Sequence, residues 1–173
     1  MSERRTYIRA VTGGDRREML ALAESSRELH APWITPPLTT HMFRAYLRRT
    51  QRDDHEGYVV CLQETDEIVG VINVNNVIGG SFRSASLGYY AAQAHAGKGY
   101  MREGLLQVKA HAFKKLGLHR VEANIQPANA PSIRLVRSCG FEREGLSRQF
   151  LFINGAWRDH ERWAAIDERT ALR

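Results

Sequence analysis

The sequence predicts an α/β fold of the α+β mixed kind, a central sheet carrying helices on its faces. Three observations predict it. β-branched and apolar runs recur along the chain, among them residues 58–63 and 68–74. Other stretches place apolar residues at helical spacing, most clearly Met101, Leu105, Val108, Ala112 and Leu116. That helix lies between a strand-like run ending at Tyr90 and another at 120–126, which requires a parallel crossover.

Residues 6–11 read as the first strand, broken by Gly13 and Gly14. Asp15 and Glu18 give a capping-box-like start to a helix carrying Met19, Leu20, Leu22 and Ala23. In the loop 29–37, Trp33 is either a half-buried plug of the core or the wall of a substrate site. Thr39 or Thr40 caps a second helix with Met42, Phe43, Tyr46 and Leu47 on one face. Glu64-Thr65-Asp66-Glu67 separates the runs 58–63 and 68–74, a hairpin signal. Gly79 and Gly80 end the next turn, and 84–90 is a fourth strand.

Lys114 and Lys115 fall in the last turn of the following helix, where cations suit the helix dipole, and Gly117 is its C-terminal cap. Along 120–126, Val121, Ala123 and Ile125 alternate with Arg120, Glu122 and Asn124, as a fifth strand requires. Asn129 is the N-cap of a short helix with Pro131 in its first turn and Cys139-Gly140-Phe141 at its close. Residues 148–153 and 156–166 flank Asn154-Gly155, a strong hairpin signal. The expected order is βααβββαβαββ, with no internal repeat.

The 173 residues suit one domain, 1–173, with a substantial core. An apolar fraction of 43% and a charged fraction of 25% are ordinary for a soluble globular protein. No apolar run reaches the length of a membrane span, about 18 residues, and the polar start has no secretory h-region. Cys61 and Cys139 have no metal-ligand spacing and read as buried thiols in a reducing cytoplasm. The net charge of +6 favours anionic partners: a phosphorylated cofactor, an acidic peptide, or ribosomal RNA near the substrate. The basic residues are scattered and not interleaved with aromatics, so no dedicated nucleic-acid module is expected.

The chemistry concentrates in Gly97-Lys98-Gly99-Tyr100-Met101-Arg102-Glu103-Gly104, where two glycines open a helix. Residues without side chains let a ligand approach the backbone, and the unpaired N–H groups of a first helical turn attract phosphate. A dinucleotide fingerprint would need a third glycine where Arg102 stands, and a P-loop would need Ser or Thr where Gly99 stands. On the loop alone, a tight strand-to-helix turn remains the competing reading.

Together with Asn129-x-x-Ser132 and Gly140-Phe141-x-x-x-Gly145, the loop resembles the GNAT superfamily of acetyl-CoA-dependent N-acetyltransferases. The stretches 76–82, 87–89, 119–121 and Gly155-Ala156-Trp157-Arg158-Asp159-His160 are most similar to its Rim-type group, above all the RimJ-type ribosomal-protein alanine N-acetyltransferases. The resemblance covers about residues 68–166 and thins before them, although Pro32-Trp33 fits a similar position. It implies a mostly antiparallel sheet with splayed central strands, acetyl-CoA as co-substrate and no metal. It also implies that backbone N–H groups of Gly97, Gly99, Tyr100 and Arg102, with Lys98 and Met101 in the same loop, cradle the CoA pyrophosphate. The strand through Gly88, Tyr89 and Tyr90 would part from 123–125 to admit pantetheine. Asn129 would hold that arm, and the Ser132 hydroxyl would face the thioester sulfur.

Ser132 and Tyr89 are thus the catalytic candidates, with a backbone N–H near Tyr89 or Tyr90 stabilising the oxyanion, and Trp33 and Tyr89 are the substrate-facing ones. The acceptor implied is the α-amine of a protein, in particular a ribosomal protein. A small amine (antibiotic, polyamine or amino acid) and a non-catalytic acyl-CoA-binding or ribosome-assembly module are the alternatives. The protein is expected in the cytoplasm, off membranes, as a monomer or homodimer. One departure stands out: Ala94 occupies the place where the superfamily often has Gln or Arg, three residues before the first loop glycine. Several residues also have plain structural readings: Asn129 and Ser132 as a cap and a helix residue, Tyr89 and Tyr90 as strand aromatics, Lys98 as a solvated charge. His95 and His119 read as structural histidines, and Asp159 and His160 either pair or sit near the acceptor. No compelling general base emerges, since Glu103 suits the helix dipole and Glu122 is only a candidate. Neither cysteine is placed as a nucleophile.

Overall fold

The alternating runs assemble into one seven-stranded sheet, ordered β1-β2-β3-β4-β5-β7-β6, in a computed structural model that describes residues 4–169. The ends of the expected 1–173 unit lie outside the described residues. The elements are β1 (Thr6–Ala10), α1 (Arg16–Ser25), α2 (Arg27–His30), α3 (Thr40–Thr50), β2 (His55–Leu62), β3 (Ile68–Ile78), β4 (Ser84–Ala91), α4 (Tyr100–Lys114), β5 (Arg120–Ile125), α5 (Ala130–Ser138), β6 (Glu142–Ile153) and β7 (Ala156–Ile166). Five of the six strand pairings are antiparallel, and only β4–β5, joined through α4, is parallel.

Both faces of the sheet are covered. On one, Leu105, Val108 and Ala112 of α4 and Val136 of α5 pack with Val60, Ile72, Val74, Val121 and Trp163. On the other, Met19 and Leu22 of α1 and Phe43 and Tyr46 of α3 pack with Val59, Val71 and Tyr90. Burial of such side chains is worth about 1.5–3 kcal/mol each. Two glycines set how closely α4 lies on the sheet. A Cβ on Gly104 would come 2.5 Å from Val60 Cγ2, and one on Gly70 would come 2.1 Å from Met101 Sδ.

Local signals resolve as their chemistry dictates. Thr39, not Thr40, caps α3 by accepting from Met42 N at 3.2 Å. Gly117, at φ +65, lets Leu118 N–H return to Ala112 O at 3.1 Å beyond the end of α4. Asn154 and Gly155, at φ +49 and +79, make the tight β6–β7 turn. Cys61 and Cys139 are buried free thiols.

Three expectations change. The capping box is Thr12–Asp15, one turn earlier than expected, with Asp15 accepting from Thr12 N at 2.7 Å. Glu18 instead reaches across to accept from Ile68 N at 2.7 Å. A short α2 continues beyond α1 where a loop was expected from residue 29. The last hairpin begins at Glu142 rather than 148, because β6 is an edge strand with two register shifts that erase the period-two pattern.

Candidate active site

The parallel pair β4–β5 is zipped only from Ser84↔Arg120 to Leu87↔Ala123. Past that rung β4 stays paired with β3 through Ala91, and β5 stays paired with β7 through Ile125. The inner edges of Gly88–Tyr90 and of Asn124–Ile125 therefore face one another across a gap instead of bonding. A cleft of about 590 Å³ opens there. It brings together the loop around Gly97 and Gly99, the residues Gly88, Tyr89 and Tyr90, the α5 start at Asn129 and Ser132, and Trp33.

At its α5 side, Tyr89 and Ser132 meet with their hydroxyl oxygens 2.7 Å apart. Ser132 is held there by the helix cap, since its N–H donates to Asn129 Oδ1 at 3.3 Å. Asn129 thus uses its side-chain oxygen on α5, leaving its amide nitrogen for other partners. Burial pushes the Tyr89 phenol well above its ordinary range, so it keeps its proton at neutral pH. Tyr89 and Ser132 form one hydroxyl pair across 43 residues, a link no local pattern could reveal. Tyr90 points its side chain to the opposite face, where its ring lies edge-on to His30 at 5.2 Å, and its backbone is paired with Val71 of β3.

The loop at the other end starts α4 with Gly97 at φ +76 and Gly99 at φ +84, conformations that glycine reaches without strain. The first-turn N–H groups of Tyr100, Met101 and Arg102 have no intrahelical acceptor. Met101's side chain packs down on Gly70, so only its backbone serves the loop. Lys98 and Arg102 are exposed. The anchoring lost at Ala94 comes from the start of β1. Arg5 donates to Lys98 O at 3.0 Å and to Glu103 Oε1 at 2.8 Å, and its guanidinium lies 4.7 Å from the Tyr100 ring centroid. Nothing in the local sequence signals Arg5, which stands 98 residues from Glu103.

Both carboxylates considered as bases are occupied. Glu103 accepts from Arg5 and Thr6, and Glu122 accepts from Arg120 and Arg162, each at 2.7 Å. His95 pairs with Glu67 Oε1 at 2.8 Å. Asp159 and His160 do not pair with each other: Asp159 accepts from Gln149 N, and His160 turns into the cleft. Trp33 is half-buried in the cleft wall, and its loop is tied to the hairpin tip by Asn154, which donates to Pro32 O at 3.0 Å.

Residues 5–142 match the sequence model of the acetyltransferase (GNAT) domain. The probable N-acetyltransferase YjcK of Bacillus subtilis is 30% identical over 169 residues, 93% of each chain. The ribosomal protein uS5-alanine N-acetyltransferase of Escherichia coli is 43% identical over 94 residues, 54% of this chain and 48% of that one, so the match spans about half of that relative's length. The spermidine N(1)-acetyltransferase of Vibrio cholerae is 26% identical over 166 residues, 94% of this chain and 93% of that one. Among solved structures, Mycobacterium smegmatis RimJ in complex with CoA-disulfide is similar at a TM-score of 0.86 and 29% identity, over 95% of this chain and 83% of that one.

Proposed function

Since the chain belongs to the GNAT acetyltransferase family and is an acetyl-CoA-dependent N-acetyltransferase, we propose that its acceptor is the N-terminal α-amine of a protein, of the ribosomal-protein alanine type. One observation carries the choice of acceptor: among the described residues no Asp or Glu lines the cleft, whose charged members are Arg102 and Arg134. A polyamine would bring several positive charges into a lining that offers them no counter-charge and two cations. A protein N-terminus brings one amine, and that amine is easily neutral. With a pKa of about 7.7–8.0, roughly a quarter is unprotonated near pH 7.4, against about one in a thousand for a lysine at about 10.4. The match to the uS5-alanine enzyme supports the same choice.

In this reading acetyl-CoA supplies a thioester whose carbonyl the neutral amine attacks directly, with no acyl-enzyme. The N–H groups at the α4 start hold the pyrophosphate. The free strand edges at Gly88–Tyr90 and Asn124 receive the pantetheine arm, and a backbone N–H of that β4 edge serves the oxyanion. The Tyr89–Ser132 pair delivers a proton to the departing thiolate. The fit rests on the parted strands and the positive-φ glycines.

The small-amine reading draws on the spermidine enzyme, which aligns with nearly the whole chain. One assay separates the two. A single peptide is offered with a free N-terminus and acetylated lysines, or with a blocked N-terminus and free lysines, alongside spermidine. Transfer to the first form is expected. Turnover confined to the lysine form or to spermidine would overturn the proposal.

A further inference from the structure

The amine must lose a proton as it is acetylated, and the carboxylates nearest in sequence to the loop and β5 are already paired. Strand alternation sorts the remaining groups by face. Leu87, Tyr89, Ala123, Ile125 and Trp163 belong to the core under α4 and α5. Asn124, Arg162 and His160 alternate with them and point to the other face, the one where Tyr90 meets His30.

His160 sits one residue beyond the last β5–β7 rung, Ile125↔Glu161, at the open end of the gap. Only 3% of it is exposed, and its ring lines the cleft. Its Nδ1 lies 2.9 Å from Arg158 O. A carbonyl oxygen can only accept, so Nδ1 carries a hydrogen, and in the neutral ring the lone pair is on Nε2. Nε2 has no hydrogen-bond partner among the described residues. On the same strand face, Asn124 Oδ1 is buried and unpartnered, as is Gln126 Nε2 just past the end of β5. Buried polar atoms are rarely left this way, and the two at this end of the cleft, an acceptor and a donor, together with the unpartnered His160 Nε2, match an amine N–H and the carbonyl that follows it.

We propose that His160 is the proton acceptor for the incoming amine. The inference rests on the acetyl-transfer reading and deepens it. The amine nitrogen's lone pair forms the C–N bond and the C–S bond breaks. The proton released by nitrogen goes to His160 Nε2 and then to water, while the thiolate takes a proton from Tyr89, which regains one from solvent through Ser132. The sum is amide plus free thiol. The two proton tasks fall on opposite faces of the sheet, with the reacting carbon in the gap between them.

The test uses the full chain. His160→Gln keeps the side chain's size and polarity, and His160→Ala leaves room for imidazole. Acetyl-CoA affinity by calorimetry is expected to stay within twofold for both, while kcat falls about 100-fold or more. Added imidazole is expected to restore turnover to His160→Ala. A His160→Gln enzyme within threefold of wild type would overturn the proposal, as would a His160→Ala deficit that imidazole leaves untouched. Each ratio is taken on the acceptor the wild type uses, peptide or spermidine. A failure of the α-amine assignment therefore shows in the wild-type preference, and a failure here shows in the variant ratio.

Discussion

The two ends of the β4–β5 pair make the most instructive contrast in the molecule. From Ser84 to Leu87 the strands are zipped, and the alternate side chains, Ala85 and Leu87 against Val121 and Ala123, are buried in one apolar core. From Gly88 onward the same two strands continue unzipped, and buried polar atoms of Asn124 and Gln126 lack partners. Packing energy is concentrated at the first end, and groups left unsatisfied are concentrated at the second. A site that must bind a ligand along its backbone needs that arrangement, because edges already bonded to each other have nothing to offer.

The contrast yields a graded set of expectations. The largest belongs to the closed end. Leu87→Ala at the last rung should lower unfolding stability by about 2–5 kcal/mol, read as a shift in the denaturant midpoint. At the open end the loss should fall on rate instead. Tyr89→Phe should lower kcat about 100-fold, near 2.7 kcal/mol, with a smaller change in the midpoint than Leu87→Ala gives. Equal midpoint shifts in the two variants would erase the distinction between the ends.

Next comes Gly99→Val in the α4 loop. It forces a β-branched residue to φ +84 and sets its Cβ 3.2 Å from Arg5 Nη2. Left-handed strain of about 1–2 kcal/mol should weaken acetyl-CoA binding about tenfold by calorimetry. Asn129→Ala removes the α5 cap and should cost about 1 kcal/mol of stability, together with some kcat, because Ser132 loses its fixed position. The smallest effect is the pH dependence of the loop anchor. Burial pushes the Glu103 carboxyl up, but hydrogen bonds from Arg5 and Thr6 outweigh it and leave the group below its ordinary range. A depressed folded-state pKa means the contribution is complete above the unfolded value, about 4.3, and fades as pH falls through the folded one. Glu103→Gln should flatten that acid limb by less than about 1 kcal/mol, since Arg5 is half-exposed. A variant that keeps the wild-type limb would remove Glu103 as its source.

How much of this was legible beforehand follows the same divide. The succession of strands along the chain, the α4 loop and the Asn129 cap rest on local periods and caps, and they can be read from Val121, Ala123 and Ile125 or from Gly97 and Gly99. The point at which β4 and β5 part has no local signature, because Leu87-Gly88-Tyr89 looks the same whether or not its edge is bonded. That gap was expected only through family resemblance. Long-range pairs such as Arg5–Glu103 and Tyr89–Ser132 are set by tertiary packing, and β6 hid its first half behind register shifts. His160 was noticed as one of a pair with Asp159; the contact with Arg158 O, which frees its other nitrogen, depends on the side chain's orientation.

The short zipper also bears on how the protein breathes. Within the sheet, β4 and β5 share four rungs, where β3–β4 and β5–β7 share more, so the two halves meet along a shorter ladder than the strands on either side of it. A pantetheine arm laid between them would act as an eighth strand, tying the halves together. Saturating CoA, at a hundred times its dissociation constant, would then raise unfolding free energy by about 2.7 kcal/mol. The amide of Tyr89 would register the change most sharply: by strand alternation the N–H groups of Gly88 and Tyr90, like that of Ala92, are on the β3 side, and the N–H of Tyr89 turns to the gap, to exchange slowly only while the ligand holds it.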